Sequence, residues 1–371
     1  MPGGVTCRVT SKDAAMTMNS RRAWARPLGG LLLAAGALTL AGHAVAQQRV
    51  LRLIADRTDQ GTLRPVLDAF EARSGAKVEG VFMDQGLVNR LESRPTEADV
   101  VITKDAELME IAAQRGLLDP IESAVIKAEI PKEFMGQGNL YFVDAYRARL
   151  IYYAKDRVKP GEIANYEDLA APKWKGRVCI RSGSHDYNLA LFGQFAVSYG
   201  EARARALVQG LANNLARTPK GNDREQARGI YEGKCDVAVI NSYYYALMQA
   251  NPQQKAWADA VSVVFPDQGG KGSFVMRSAS ALTKNKANRE LALQFLEFVA
   301  SREGQQLMVD ATKQYSVRPD VPVAPAMVRL GAEQGLVGGR FKIDFVPLAA
   351  MAGKREEMIK LVNELKFDAE R

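Results

Sequence analysis

The hydrophobic positions of this chain form short apolar runs that alternate with longer stretches of helical spacing. Residues 50–54 and 77–82 are runs of strand length, and residues 62–73 between them have the spacing of an amphipathic helix. A third strand over 98–103 leads into a helix over 106–115. This order predicts a β-α-β unit, in which ligands bind where the carboxyl ends of strands meet the amino ends of helices.

The second half of the chain repeats this β-loop-α pattern. An alternating stretch over 147–154 predicts an extended strand, and the sequence Lys159-Pro-Gly161 after it marks a boundary. Strands over 177–180 and 236–240 are each followed by a polar loop and a helix. Further strands are predicted over 260–265 and 274–283, and helices over 288–300, 304–312 and 353–366.

Three consecutive tyrosines, Tyr243, Tyr244 and Tyr245, stand where an apolar strand ends in Asn241-Ser242 and a helix begins. Neighbouring side chains on a helix diverge by roughly 100°, so adjacent phenols do not pack into one face of the core. At the carboxyl end of a strand, however, two of them can lean into a crevice. Two interpretations stay open: phenols that hold a ligand, or one packed tyrosine beside two solvated ones.

The first 46 residues have the features of a secretory signal peptide. Arg21 and Arg22 precede an apolar run over 28–40, and Ala44-Val-Ala46 is a small-residue cleavage signal. The run is short for a transmembrane helix. Residues before Met16 or Met18 are interpreted as an upstream extension of the export signal. Both Sec export and twin-arginine export to the periplasm stay open.

The remaining 325 or so residues are long enough for two domains, and their charge excludes some functions. Removal of the signal peptide lowers the net charge from +8 to about +4, a mild balance that argues against a nucleic-acid-binding protein. His185 is the one histidine left, which excludes histidine-rich metal chemistry and disfavours a Ser-His-Asp triad. Cys179 and Cys235 form a disulfide in an oxidising compartment or remain two buried thiols.

The chain resembles the periplasmic ferric-ion-binding proteins, the substrate-binding subunits of ABC-type iron importers, over nearly all of residues 50–340. The resemblance rests on stretches that follow the family's order: residues 98–105 (ADVVITKD), residues 171–182 (APKWKGRVCIRS), Tyr187-Asn188, Gly221-Asn-Asp223 and Asn241-Ser-Tyr-Tyr244. It implies an α/β, two-lobe type II periplasmic-binding fold, in which each lobe is a mixed sheet flanked by helices and the ligand lies in the inter-lobe cleft.

The two halves then divide into lobes. The N-terminal lobe is expected to comprise residues 47–150 and 270–325. The C-terminal lobe is expected to comprise residues 151–269 and 326–371. The extended segment over 147–154 would cross between them.

The resemblance implies that Tyr187, Tyr243 and Tyr244 are the ligands of Fe³⁺, a hard cation that prefers anionic oxygen. Their phenols would lose protons on binding, so iron binding should weaken in acid. The first lobe departs from the family, because Thr58 and Asp59 stand where many members have histidine and tyrosine. Either Asp59 supplies an oxygen ligand, or a small anion such as carbonate completes the coordination; the second is favoured because aspartate in a polar turn is usually a cap.

Basic and polar residues near the three tyrosines are the candidates for holding such an anion. These candidates are Arg149, Ser182, Ser184, Asn222 and Asn241. Arg181 is assigned to pairing within the second lobe, and His185 to a loop or a helix cap. Tyr245 lies one residue beyond the family's tyrosine pair and is expected to pack.

The expected function is a monomeric periplasmic carrier that captures ferric iron, catalyses nothing and delivers its cargo to an inner-membrane ABC permease and its ATPase. One alternative with the same fold binds a small anion or a thiamine-like organic ligand without metal. A secreted hydrolase or transferase would need a base histidine, a nucleophile elbow or paired carboxylates, none of which the sequence offers. A sensor that passes its ligand to a receptor is a further alternative.

Overall fold

A 14-residue strand, Tyr141–Ala154, is buried along its whole length and belongs to two sheets. The computed structural model describes residues 48–56 and 60–371. The predicted signal peptide over 1–46, and with it Thr58 and Asp59, lie outside the described residues. Within the described part, no helix is both apolar and long enough to span a bilayer.

The strands are β1 (Val50–Ala55), β2 (Lys77–Phe82), β3 (Val100–Thr103), β4 (Leu118–Asp119), β5 (Tyr141–Ala154), β6 (Val178–Cys179), β7 (Val237–Asn241), β8 (Val261–Val264), β9 (Val275–Thr283) and β10 (Tyr315–Ser316). The helices are α1 (Arg64–Ser74), α2 (Leu87–Ser93), α3 (Ala106–Gln114), α4 (Ala124–Glu129), α5 (Asp186–Tyr199), α6 (Glu201–Asn214), α7 (Asp223–Tyr231), α8 (Tyr243–Ala250), α9 (Lys255–Asp259), α10 (Arg289–Ala300), α11 (Arg302–Thr312), α12 (Pro325–Ala332), α13 (Leu348–Ala352) and α14 (Lys354–Glu364).

The strands follow the order β2-β1-β3-β9-β5-β7-β6. In the first sheet, β2, β1 and β3 are parallel, and β9 runs antiparallel between β3 and the first part of β5. In the second sheet, the last part of β5 pairs with β7 and β8, and β6 lies parallel to β7. The predicted α/β class and the repeated β-loop-α pattern are confirmed. The predicted lobe boundaries remain a prediction.

The central strand is longer than its pattern predicts. The alternation of apolar and polar residues indicated a strand over 147–154, whereas β5 begins at Tyr141. Every residue of β5 is buried, because β9 and β10 pair with its first part and β7 and β8 with its last part. A strand buried on both faces loses the alternation of apolar and polar positions, so its first half is hard to recognise from sequence.

Cys179 at the end of β6 forms a disulfide with Cys235, two residues before β7, with the Cα atoms 5.8 Å apart. The paired alternative is therefore confirmed. Both cysteines are buried against α7, whose Gly229 lies in contact distance of both sulfur atoms. The disulfide ties together the two strands that lead to the predicted tyrosine ligands.

The amino end of α3 carries two neighbouring carboxyl groups. Asp105 caps the helix by accepting a hydrogen bond from the backbone N of Glu107 over 3.1 Å. Burial, and then the charge of Asp105, raise the pKa of Glu107 to about 8. Between about pH 4.5 and pH 8 the folded chain therefore keeps a proton that the unfolded chain has lost.

We expect the free energy of unfolding to fall as the pH rises through this window, and to level off above it. The variant Glu107→Gln should abolish that part of the pH dependence. It should be more stable than the parent at pH 8.5 by on the order of 1 kcal/mol or more, since one pKa unit corresponds to about 1.4 kcal/mol. Urea denaturation at pH 5 and pH 8.5 measures the effect. Glu92→Gln, on an exposed carboxylate, is the matched control and should keep the parent's pH dependence; an unchanged slope in Glu107→Gln would contradict the assignment.

Candidate metal centre

Hydrogen bonds to β5 hold the junction between β7 and α8 in place. The backbone N of Ser242 donates to Ala148 O over 2.8 Å, and Ala148 N donates to Ser242 Oγ over 3.2 Å. The buried Tyr152 hydroxyl donates to Asn241 O over 3.2 Å. The first turn of α8, which carries Tyr243 and Tyr244, therefore starts from the end of a strand that is hydrogen-bonded to β5.

Tyr243 and Tyr244 lie side by side at this helix start. Their ring centroids are 4.2 Å apart, with the ring planes inclined by 33°. Burial is the main cause that raises the pKa of both phenols, and the charge of Tyr187 raises both further. Both phenols are therefore protonated near neutral pH unless a cation is present to stabilise the phenolate. The three phenols are therefore close enough to affect one another's ionisation.

Tyr187 lies in the first turn of α5, beneath three guanidinium groups. The Cζ atoms of Arg147, Arg149 and Arg181 are 5.5, 5.7 and 4.9 Å from its ring centroid. The ring therefore lies against three positive groups, of which Arg149 and Arg181 are paired with the carboxylate of Asp223. The amino ends of α5 and α8 add partial positive charge of the same sign.

His185 and Tyr245 take the structural roles expected for them. His185 Nδ1 accepts a hydrogen bond from the backbone N of Tyr187 over 3.1 Å, so this histidine caps α5. Tyr245 is 9% exposed and packs in the core, where its hydroxyl accepts a hydrogen bond from Gln249 over 3.3 Å. No group of three or more His, Cys, Asp and Glu side chains that could hold a metal occurs within 48–56 and 60–371. Tyrosine is thus the residue type that could supply metal ligands at this site.

Two of the five anion-binding candidates, Arg149 and Asn241, belong to a buried network. Arg149 donates through Nη1 to Asp223 Oδ2 over 2.7 Å and to Asn241 Oδ1 over 3.2 Å. Arg149 Nε and Asn241 Nδ2 have no hydrogen-bond partner among the described residues. Most donors of Arg149 are therefore satisfied by protein. A role of these two residues in holding an anion remains a prediction.

The other three candidates also have protein partners. Ser182 Oγ and Ser184 Oγ donate to the carboxylate of Asp368 over 2.8 and 3.0 Å, and Gly183 N donates to it over 2.7 Å. Asn222 caps α7 by accepting from the backbone N of Arg224 and Glu225. The carboxylate of the C-terminal tail thus occupies the donors at Ser182 and Ser184 that were predicted to hold an external anion, because loop N–H and hydroxyl groups attract any nearby carboxylate.

Arg147 is a residue of this site that the sequence reasoning missed. Its side chain is buried, lies over Tyr187 and donates through Nη1 to Lys104 O of the first sheet's β3–α3 turn over 3.0 Å. Alternate residues of a strand share a face, so the spacing of two from Arg149 was the signal that could have revealed it. Arg181, whose Nε is buried without a partner in the described part of the chain, lies over the same ring as Arg147.

The comparison with known proteins agrees with the family resemblance found in the sequence. Residues 96–331 match a family described as bacterial extracellular solute-binding protein. The chain is 34% identical to iron uptake protein A2 of Synechocystis sp. over 313 residues, which cover 83% of this chain and 89% of the relative.

Solved structures of iron-binding proteins superpose on most of this chain. Trichodesmium IdiA (FutA), solved in complex with iron and citrate ligands, superposes with a TM-score of 0.77 at 32% identity, over 86% of this chain and 99% of that one. Apo ferric ion-binding protein A of Pasteurella haemolytica superposes with the same TM-score at 34% identity, again over 86% and 99%. These matches confirm the predicted type II periplasmic-binding fold.

Proposed function

This chain belongs to the bacterial extracellular solute-binding proteins, and on that premise we propose that it is a periplasmic carrier of ferric iron. The observation that supports this cargo best is the convergence of Tyr187, Tyr243 and Tyr244 from the starts of two helices. The names of its relatives, an iron uptake protein and a ferric ion-binding protein, point to the same cargo.

The chemistry of the site suits a hard trivalent cation. Phenolate is an anionic oxygen ligand, and three phenolates balance the three positive charges of Fe³⁺. Burial raises the pKa of these phenols, whereas a bound cation lowers it, because the cation favours the charged form of each phenol. Tyr187, Tyr243 and Tyr244 would therefore bind the metal, while the cap of α5 and the hydrogen bonds between the end of β7 and β5 hold them in position.

A small anion completes the coordination in this proposal, with carbonate as the simplest case. Arg147 and Arg181 border the tyrosines and supply positive charge for it. The Trichodesmium relative holds citrate together with iron, so an organic carboxylate is a second possibility in the same position. Asp59, which could supply an oxygen instead, remains a proposed alternative ligand.

The carrier would function as a monomer that takes up iron after export to the periplasm. Iron first meets the tyrosines of the second sheet, after which the two lobes close by a hinge motion on the central strands. The closed form then docks on an inner-membrane ABC permease, which is driven by its ATPase. No step of this sequence requires catalysis by the chain.

A ferric titration with bicarbonate tests the proposed cargo. The protein should develop a visible phenolate-to-iron charge-transfer band that saturates at one iron per chain. The variant Tyr245→Phe, which removes a neighbouring but packed phenol, is the control and should keep the band. A protein that remains colourless after loading with ferric iron and bicarbonate would overturn the proposal.

Proton release gives a second measurable consequence. Burial raises the pKa of both Tyr243 and Tyr244, so they enter binding as neutral phenols. We expect binding at pH 7 to release about three protons per iron, one from each phenol, beyond those released by the iron complex supplied. Because protons compete with the metal, the affinity should fall as the pH falls. A pH-stat titration measures the release, and a value near zero would contradict phenolate coordination.

The second candidate, a binder of a small anion without metal, is favoured by the three guanidinium groups around Tyr187. Calorimetry separates the two functions. Under the iron proposal, bicarbonate or citrate alone should bind weakly, and binding should strengthen when ferric iron is present. Tight binding of either anion to iron-free protein, with no further change on adding iron, would favour the second candidate.

A further inference from the structure

A buried carboxylate, Asp223, links the segments that carry the three phenols. It stands at the start of α7 and has no solvent-exposed surface. Its Oδ2 accepts hydrogen bonds from Arg149 Nη1 over 2.7 Å and from the backbone N of Asn241 over 2.8 Å. Its Oδ1 accepts one from Arg181 Nη1 over 3.3 Å. One side chain thus contacts β5, the end of β7 and the loop that follows β6.

The network continues from Arg149 to the helix of Tyr187. Arg149 Nη2 donates to Asn188 Oδ1 over 2.8 Å. Asn188 in turn donates through Nδ2 to Arg181 O and Ser182 O over 2.9 and 3.0 Å. Arg149, Asn188 and Asn241 are as fully buried as Asp223. The first turn of α5 is therefore connected to the end of β7 through a single set of hydrogen bonds.

The position of these contacts in the chain relates them to the proposed ligands. Asn188 directly follows Tyr187, and Asn241 precedes Tyr243 by two residues. A residue near each phenol is thus bonded to the same ion pair of Arg149 and Asp223: Asn188 through its side chain, and Asn241 through its backbone N and its side chain. A buried guanidinium is tolerated because a carboxylate compensates it, so loss of Asp223 would leave Arg149 and Arg181 to move.

We propose that Asp223 is a positioning residue for metal binding, which sets the separation between Tyr187 and the pair Tyr243–Tyr244 through its ion pair with Arg149. This inference rests on the proposed function, since it concerns how the iron ligands are held. It also gives Arg149 a role other than contact with the anion.

Geometry and simple electrostatics make different predictions here. Exchange of three protons for one Fe³⁺ leaves the net charge of the site unchanged, and the anion that binds with the metal adds negative charge. Electrostatics alone therefore predict that loss of a nearby carboxylate leaves the affinity at constant pH unchanged or strengthens it. Displacement of a ligand has a large effect, because a metal requires its ligands at defined distances.

The test compares Asp223→Asn with Asp236→Asn by ferric titration in bicarbonate, with the charge-transfer spectrum as the readout. Asp236 is a matched control: it lies just before β7, at the opposite end of that strand, and accepts hydrogen bonds from Arg157 Nε and Arg177 Nε, each over 2.6 Å. Asp223→Asn should bind iron at least about tenfold more weakly and shift the band maximum. Asp236→Asn should stay within about twofold of the parent with an unshifted band.

Asn188→Ala is a second variant, which keeps the ion pair and removes its link to α5 together with the hydrogen bonds of Asn188 to Arg181 O and Ser182 O. It should weaken binding in the same direction, and it decides the question if Asp223→Asn does not fold. If Asp223→Asn folds, parent affinity together with an unshifted band would overturn the positioning role and leave the proposed function intact. If it does not fold, the same result in Asn188→Ala would overturn that role. A parent protein without any band would overturn both.

Discussion

Replacing Tyr187 by phenylalanine is expected to lower the affinity for ferric iron at least about a hundredfold, more than the 10- to 100-fold that loss of an outer-shell partner typically costs. The substitution removes one anionic oxygen and leaves the ring in place. Tyr187 stands alone at the start of α5, so no neighbouring phenol can replace it. The charge-transfer band should lose most of its intensity in a ferric titration.

Tyr243→Phe should have a similar effect, whereas Tyr245→Phe should match the parent, because Tyr245 packs in the core. This pair is a stringent control, since the two residues lie two positions apart on the same helix. Thermal denaturation of each apo variant separates loss of a ligand from loss of fold. Parent-like iron binding by Tyr187→Phe would place the metal elsewhere.

Asp59→Ala separates the two ways of completing the coordination. If a small anion fills the remaining positions, the variant should bind iron like the parent and depend equally on bicarbonate. If Asp59 is a ligand, the variant should lose affinity, and binding by the parent should be largely independent of bicarbonate. We expect the first result, since the positive groups that border the tyrosines, Arg147 and Arg181, are suited to an anion.

Removal of the disulfide is expected to lower the free energy of unfolding by about 4 kcal/mol, the loop-closure value for cysteines separated by 56 residues. The variant Cys179→Ser/Cys235→Ser tests this by urea denaturation under oxidising conditions. The loss is large against the 5–15 kcal/mol that stabilises a typical domain.

Dithiothreitol provides the control for this second experiment. It should destabilise the parent by a similar amount and leave the double variant unchanged, because only the parent has a bond to reduce. The variant should still bind iron when folded, because the hydrogen bonds of Asp223 and Arg149 connect the segments of the proposed ligands without the disulfide. An unfolding midpoint equal to that of the parent would contradict the expected contribution.

Most of the elements could be predicted from the chain, and the misses share a physical cause. Strand β2 was predicted with its observed bounds, because it is flanked by glycine and polar turns that limit its pattern. The first half of β5 was missed because burial on both faces removes alternation. Helix α12 and the short α13 were missed as well, since their stability comes from packing against the rest of the fold rather than from a long amphipathic pattern.

The sequence by itself determined the fold class and, through the family resemblance, gave the proposed set of phenols, because periodicity, residue chemistry and the order of motifs can all be read along the chain. The tertiary structure alone decided which polar groups meet. Ser182 bonds to Asp368 across 186 positions, and Arg149 to Asp223 across 74, so the donors predicted for an anion are bound to carboxylates of the chain itself. Hydrogen-bond partners of this kind depend on which distant segments the fold brings together. For the same reason, the structure and not the sequence identified Arg147 beside Tyr187 at the candidate metal centre and paired Cys179 with Cys235.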